Sequence, residues 1–449
     1  MPGNKTWRIG IAAAAGVFVI AAVLFTLYFR GYFYTQIPLE LRFAGLTEEM
    51  KTDLESKKEK LRSSGQTIVP DRKTILNKTV ELLSPKEESC PYVTSWYLVS
   101  GGVNSQPAEQ SAYYFFEDQI RLASAYIELG NKEKTRILLN QIYQDYLEDG
   151  SLKSYLTAQD LEIQNKPMIS DTYDVLIDRY GEFGRSVYYI DAWLHYYHKW
   201  GNGSDWKFIE KLAEELVPVS DSIKEDMEIE AIIKEYVEVF PADHTPKSFE
   251  GQAAEDVLLT TVGMNLNGLL PDTLSALTVF DPGYEEMSAK FTQILLEGII
   301  SREVPLYAAG YQSETGEYFY SREKDTLVDT RTSLISMLAL SKQEVLSPES
   351  ILWMKKQLNT SSGFSEKYDI ISGLPAGSNE AVESYGVAMQ IARYLEDESL
   401  YMLNFDKMNL HLATKTNSDA RGMLYRTVGD GRILLRAADN LEAVIGLGE

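Results

Sequence analysis

SQPAEQSAYYFFEDQIRLASAYIELG, Ser105 to Gly130, decides how this chain is read. Phe116, Ile120, Ala123 and Ile127 recur at i, i+4, i+7 and i+11, which puts them on one face of a helix. Pro107 suits a first turn and Gly130 a helix stop, so the spacing predicts one helix over 107–129 with a buried body. Glu109 then falls at the open N-terminal mouth of that helix. A carboxyl group there serves either the helix or a reaction.

The chain has 449 residues, 44% of them hydrophobic and 11% aromatic, enough for a sizeable core and incompatible with disorder. Cys90 is alone, so no internal disulfide framework exists. Ile9 to Phe29, IGIAAAAGVFVIAAVLFTLYF, runs 21 residues without a charge, which matches the ~30 Å core of a bilayer. Tyr28, Phe29, Arg30, Tyr32 and Phe33 stand where a cleaved signal peptide has its small-residue site, so a retained single-pass anchor is the expectation. Lys5 and Arg8 precede the span and Arg30 alone follows closely, which keeps the short tail cytoplasmic and the rest outside the cell membrane. The expected layout is a tail at 1–8, an anchor at 9–29, a stalk or linker at 30–70 and an extracytoplasmic domain at 71–449. Beyond residue 30 the chain carries 40 Lys and Arg against 66 Asp and Glu, a net charge of −26. Such a surface repels nucleic acid and anionic lipid headgroups.

Within the domain, helix follows loop follows helix. Helical spacing continues at 132–147, 183–200, 205–216, 221–239, 252–269, 283–299, 328–341, 348–358, 379–396, 398–411 and 432–446. Thr47–Ser64 is a charged, helix-prone stalk that either lies against the domain or stands off the membrane, and Lys73–Leu83 is a second short helix. Polar loops such as 148–171 and 311–325 are too long for a plain bundle, and Thr315–Gly316 suits a short hairpin. Residues 120–147 look like a tetratricopeptide hairpin, but no 34-residue period is sustained. About a dozen helices in successive hairpins fit an all-α fold, a closed α/α toroid whose cleft is lined by loops.

Read around Glu109, the chain resembles glycoside hydrolase family 8, the inverting (α/α)6 glycosidases. Trp96 to Phe116, WYLVSGGVNSQPAEQSAYYFF, sets Ala108-Glu109-Gln110 where that family has S-E-G and Tyr113 near its tyrosine. Ser170-Asp171-Thr172-Tyr173-Asp174 stands at the family's S-D-A-D. Leu274 to Phe291 looks like its N-P-S-Y segment, and Val328-Asp329-Thr330-Arg331-Thr332 is similar to Y-D-A-x-R-T-P. The resemblance implies hydrolysis of a β-linked polysaccharide without metal or other cofactor. Glu109 would be the general acid, Asp329 the general base, and Asp171 or Asp174 the carboxylate that orients the sugar. An inverting pair stands about 6.5–9.5 Å apart, with a water between base and sugar. A membrane tether suits a polymer made at the same membrane, hence a role in exopolysaccharide production and a polysaccharide synthase as a partner.

Each carboxylate also has a plain structural reading. Asp171 and Asp329 precede helical runs and read as N-caps, and Glu109 as a first-turn Glu. A helix N-terminus moreover lowers a carboxyl pKa, whereas an acid needs it raised by burial or by a neighbouring carboxylate. Glu117, Asp118 and Asp325 are the substitutes if the register is shifted. In Ser186 to Trp200, SVYYIDAWLHYYHKW, aromatics lie all round the helix, so some line a cavity while most belong to the core. Trp193 and Tyr197 are the candidates for contact with sugar, together with Tyr113. His195 and His198 lack a carboxylate at ligand spacing and read as structural. No P-loop, dinucleotide-binding glycine motif, H-E-x-x-H or G-x-S-x-G is present. Two other readings fit the same residues: a non-catalytic toroid that binds glycan or a synthase subunit, and a helical adaptor on the outer membrane face.

Overall fold

Residues 36–39, 41–85, 90–100, 108–163, 168–170, 180–219, 238–239, 262–312, 315–320, 326–360, 363–428 and 431–448 are described by the computed structural model. Among them are thirteen α-helices: α1 (Glu48–Ser63), α2 (Arg72–Leu83), α3 (Phe116–Glu128), α4 (Lys132–Tyr146), α5 (Gly181–Trp200), α6 (Gly203–Leu216), α7 (Pro271–Leu277), α8 (Gly283–Glu297), α9 (Thr330–Lys342), α10 (Pro348–Thr360), α11 (Val382–Tyr394), α12 (Glu398–Leu410) and α13 (Ala437–Leu447). Their composition sorts them into layers. AADNLEAVIGL in α13 is apolar nearly all round and is buried on every side, whereas KEKTRILLNQIYQDY in α4 buries only a stripe of Thr135, Leu138, Leu139, Ile142 and Tyr146.

The inner helices close a ring. α3 packs on α5, α5 on α7, α7 on α9, α9 on α11, α11 on α13, and α13 returns to α3. Outside them α4 lies on α3 and α5, α6 on α5, α8 on α7 and α9, α12 on α11, α2 on α13, and α10 beside α12. This is the expected toroid of six inner and six outer helices. Its tightest crossing is α11 with α13, where a Cβ on Gly386 would stand 2.3 Å from the backbone of Glu442 and one on Gly446 2.5 Å from the carbonyl oxygen of Gly386. No side chain fits there, so both positions are glycine for closeness of approach.

Strands are more numerous than the sequence suggested. A five-stranded sheet in the order 426–427, 433–436, 96–98, 109–111, 168–170 sits where α13 begins, and Tyr113–Phe115 pairs with Tyr155–Thr157 just before α3. Strands shorten several of the expected helices, that from 328 among them, which begins at Thr330 after the strand Leu327–Asp329. The first begins at Phe116 rather than 107, because Tyr113-Tyr114-Phe115 is an aromatic run that suits a paired strand. The last begins at Ala437 because Ile433–Arg436 pairs with Trp96–Leu98. In the expected helix 252–269, Val262–Asn265 is a strand and Leu266–Gly268 a 3₁₀ turn. The expected hairpin at Thr315–Gly316 is present between Gly310–Gln312 and Glu317–Phe319.

The stretch read as a stalk lies against the domain. Met50 and Leu54 of α1 are buried, and Lys57 pairs with Asp406 of α12 at 2.7 Å. Ahead of α1, residues 36–39 and 41–46 strap the C-terminal ends of the inner helices. The Gln36 amide donates to the carbonyls of Tyr197 (2.7 Å) and Gly201 (3.0 Å) at the end of α5. Phe43 stacks on His198 with ring centres 3.8 Å apart. At the end of α11, Arg393 Nε donates to the Ala44 carbonyl (3.1 Å) and the Tyr394 hydroxyl to that of Arg42 (3.2 Å). Among the described residues no helix is long and apolar enough to cross a membrane, and the expected anchor at 9–29 lies outside them.

If the Gly386–Gly446 crossing holds α11 against α13, Gly386→Ala lowers the unfolding free energy by about 1–3 kcal/mol or more, since the added carbon meets backbone that cannot step aside. Urea unfolding followed by circular dichroism measures it. An unchanged midpoint contradicts the packing described.

Candidate active site

The inner helices α3, α5, α9, α11 and α13 all begin at the end of the ring that carries the strands, so their first turns converge on one mouth. Sequence there supplies charge. Glu117 and Asp118 lie in the first turn of α3, Arg331 in that of α9, Glu383 in that of α11, and Asp439 in that of α13.

Two buried guanidinium groups organise these carboxylates. Arg121, one turn below the start of α3, reaches Glu117 (2.8 Å), Asp118 (2.9 Å) and Glu442 of α13 (2.8 Å). Arg331 Nη2 bonds the same Oε2 of Glu117 at 3.1 Å, so one carboxylate oxygen joins α3 to α9. Arg426 binds Asp439 through two nitrogens (2.8 and 2.7 Å), Glu383 (2.6 Å) and Glu366 (2.6 Å).

Each guanidinium therefore holds three carboxylates, of which Glu366 is 37% exposed and the others are mostly buried; with Arg331 and the buried Arg436 added, the carboxylates still outnumber the guanidinium groups six to four. The excess appears as protons retained. Burial, more than Arg121 can offset, pushes the Asp118 carboxyl up to about 7. Burial likewise pushes Asp439 up to about 6 against the pull of Arg426, and raises Glu442. Glu117, with 13% of its side chain exposed against 6% for Asp118 and Glu442, is the member of the Arg121 set that meets solvent most. The cluster retains a proton near neutrality on Asp118, which solvent scarcely reaches, while the more exposed Glu117 is held by both Arg121 and Arg331.

Below the Arg121 set, a cavity of about 360 Å³ runs down the lumen past Tyr180 and Tyr188, whose rings stack at 3.9 Å, to the strap at Phe43 and Gly45. Its wall includes Lys342, which pairs with Asp272 at 2.9 Å, and Asp191, which accepts from Thr273 at 2.8 Å. Among the described residues no group of three or more His, Cys, Asp or Glu is arranged to hold a metal ion.

The structure separates some of the expected site residues and joins others. Glu109 is not at a helix mouth. It lies in the strand Glu109–Ser111, paired with Leu98 and Met168, and its carboxylate is bonded to Arg432 at 2.7 Å. Asp329 caps α9, its Oδ1 accepting the Thr332 amide at 2.8 Å, as the plain reading has it, and it is two residues from the Arg331 that bonds Glu117. Asp171, Asp174 and Asp325 lie outside the described residues. Trp193 (2% exposed) and Tyr197 (0%) are core, Trp193 against Tyr196 and Phe208 and Tyr197 against Trp206, so neither offers a free face to a sugar. Tyr113 is half-buried beside Phe115 and Tyr155, three rings on the strand pair leading into α3. His195 and His198 flank Phe43. Arg121, Arg331, Arg426, Asp439 and Glu442 were not anticipated. For Arg121 and Glu442 the signal was a charge placed inside an otherwise apolar helix, whereas Arg426 lies in the strand Arg426–Thr427 and carries no such signal.

No family pattern and no curated protein matches the chain in sequence. Solved structures do match. The fold superposes on an alpha-amylase from Clostridium perfringens with a TM-score of 0.59 over 84% of this chain and 96% of that one, at 18% identity. Looser matches include a reducing-end-xylose releasing exo-oligoxylanase in complex with xylose (TM-score 0.48, 12% identity, 84% of this chain and 91% of that one). Another is a catalytic mutant of a GH8 xylanase from Teredinibacter turnerae with xylohexaose (TM-score 0.43, 12% identity, 76% and 93%). The first match establishes the fold.

The retained proton has a consequence for stability. Asp118 binds its proton more tightly folded than unfolded, so its contribution is complete below about pH 4 and is lost as pH rises through about 7. Asp118→Asn removes that slope. Urea midpoints measured from pH 4 to 8 decline less steeply in the variant than in the wild type, and parallel profiles contradict the assignment.

Proposed function

We propose that this chain is a glycoside hydrolase that cuts a polysaccharide in the mouth of the toroid by a general acid and a general base. Its support is the fold shared with a solved glycosidase together with one contact, the bond from Arg331 to Glu117. That contact joins the start of α3 to the start of α9, 214 positions apart in the chain. The acid is then Glu117, in the first turn of α3, rather than Glu109, which lies in the strand Glu109–Ser111 and not at a helix mouth. Asp329 is the base. Its Oδ1 is held by the Thr332 amide, which orients the carboxyl while leaving the other oxygen to a water. Asp171 or Asp174 orients the sugar, and the rings of Tyr113, Phe115 and Tyr155 offer flat apolar faces to it.

In the step itself, Glu117 gives its proton to the departing glycosidic oxygen. Asp329 takes a proton from a water that attacks the anomeric carbon from the opposite side, so the configuration inverts. The Arg121 set restores a proton to Glu117. Residues 9–29 anchor the chain in the cell membrane with the toroid outside, and the substrate is a β-linked exopolysaccharide made by a synthase at that membrane.

An α-linked substrate is the second reading, and the name of the alpha-amylase that shares the fold favours it. A non-catalytic toroid is the third, favoured by Ala108-Glu109-Gln110 and Tyr113-Tyr114, where the family pattern has glycines.

Reducing-end release from soluble β-glucan, xylan, chitosan and starch separates the three. The proposal expects turnover on a β-linked polymer, lowered about 10²–10⁴-fold in Glu117→Gln and little changed in Glu109→Gln. Loss in Glu109→Gln with retention in Glu117→Gln returns the acid to the strand. Turnover of starch alone reverses the linkage, and sugar binding without turnover selects the non-catalytic toroid.

A further inference from the structure

We infer that the chain holds its toroid with the mouth turned away from the bilayer and the strapped end toward it. The inference rests on the membrane anchor proposed above, and it adds a direction that the anchor alone does not supply. Its basis is where the chain enters the domain. Gln36 is bonded to the carbonyls of Tyr197 and Gly201, and the Ile37 amide to the Tyr197 hydroxyl at 2.8 Å. Both attachments are at the C-terminal end of α5, the end opposite the mouth. From there the strap crosses the lumen, with Phe43 against His195 and His198, and ties to α11 through Arg393. Arg42 adds a pair with Glu344 just past α9 (3.1 Å). Three inner helices are thus gripped at one end before α1 begins.

Reach decides the rest. Seven residue steps separate Phe29 from Gln36, at most about 25 Å of chain. With the strapped end down, that length is sufficient at any small tilt. With the mouth down, the same steps would have to pass outward across the outer helices, about 10 Å, and then along the height of the ring, about 20 Å for the 13 residues of α3, before the strands of the mouth are counted. The chain is too short for that. The strap, tied to α5 and to α11, lies across the lower end of the lumen, with Phe43, Ala44 and Gly45 among the residues that line the cavity there. The bilayer therefore faces the loops after α5, α7 and α9, and the Arg121 set opens outward, with Arg121 about 10 Å above the C-terminal end of α3. A polymer is met after it has cleared the membrane surface rather than as it emerges. The acidic ectodomain, repelled by anionic headgroups, gains nothing by turning over.

Energy transfer from single labels to a headgroup acceptor tests this in the full chain reconstituted in vesicles of phosphatidylcholine with phosphatidylglycerol. In a Cys90→Ser background, Val279→Cys places a label at the strapped end. Val279 is 55% exposed beside Phe280, which packs on Trp206. Ile371→Cys, 80% exposed in the loop after the strand Lys367–Asp369, places one at the mouth. Val345→Cys and Leu374→Cys are a second pair with the same geometry, kept in case either label disturbs folding. The expected result is several-fold more transfer from residues 279 and 345 than from 371 and 374. Equal or reversed transfer overturns the orientation while leaving the anchor in place. Chain that does not float with the vesicles removes the anchor reading, and the orientation with it.

Discussion

One guanidinium group sets the geometry on which the site depends. Arg121 lies on α3 with 5% of its side chain exposed and binds carboxylates of its own helix and of α13, while the Glu117 it holds is shared with Arg331 on α9. Closing a ring of helices brings their first turns near one another. Fixing which side chain meets which takes directional bonds, and here a planar fork of donors supplies them. Isolated charges in such a place would be costly, and removing one partner of a buried pair typically costs about 3–5 kcal/mol. The arrangement persists because each charge has its opposite within bonding distance, and because the surplus carboxylates keep protons.

The two ends of the ring are built for different tasks. At the mouth, short strands, first-turn carboxylates and arginines leave Glu117 the most exposed member of the Arg121 set, at 13%. At the other end the strap lies across the lumen, and the residues used there are rings and backbone carbonyls: Phe43 on His198, Arg393 on Ala44, Gln36 on Tyr197. First-turn charges at one end and the strap at the other follow from the inner helices running the same way. Between them, Gly386 and Gly446 let α11 and α13 approach until backbones touch, which keeps Gln390 of α11 in bonding distance of Glu442 at 2.8 Å.

Helical periodicity made the hairpins legible, since a 3.6-residue repeat over 13 to 20 residues is hard to mistake, as in α5 and α9. Strands of two to four residues carry too few alternations to be seen, and that is why the helix read from 107 begins at 116. The same misreading put Glu109 where Glu117 stands, eight positions on. The seven-residue α7 was missed because Leu274–Phe291 reads as one segment, although Pro271 marks its start. Trp193 and Tyr197 show a further limit. An aromatic helix looks alike from sequence whether its rings face a cleft or a core, and only the positions of Phe208 and Trp206 decide it. Buried charges such as Asp439 and Glu442 read as surface by residue type, and their apolar neighbours were the clue.

The central claim is that a sugar chain lies in the mouth between the first turns of α3 and α9. A crystal structure of the Glu117→Gln protein soaked with a β-linked hexasaccharide addresses it most directly. The account predicts a glycosidic oxygen within hydrogen-bonding distance of residue 117, with the Asp329 carboxylate on the opposite face of the adjoining ring. Sugar bound anywhere but the mouth, or with both carboxyl groups on one side of it, would contradict the claim.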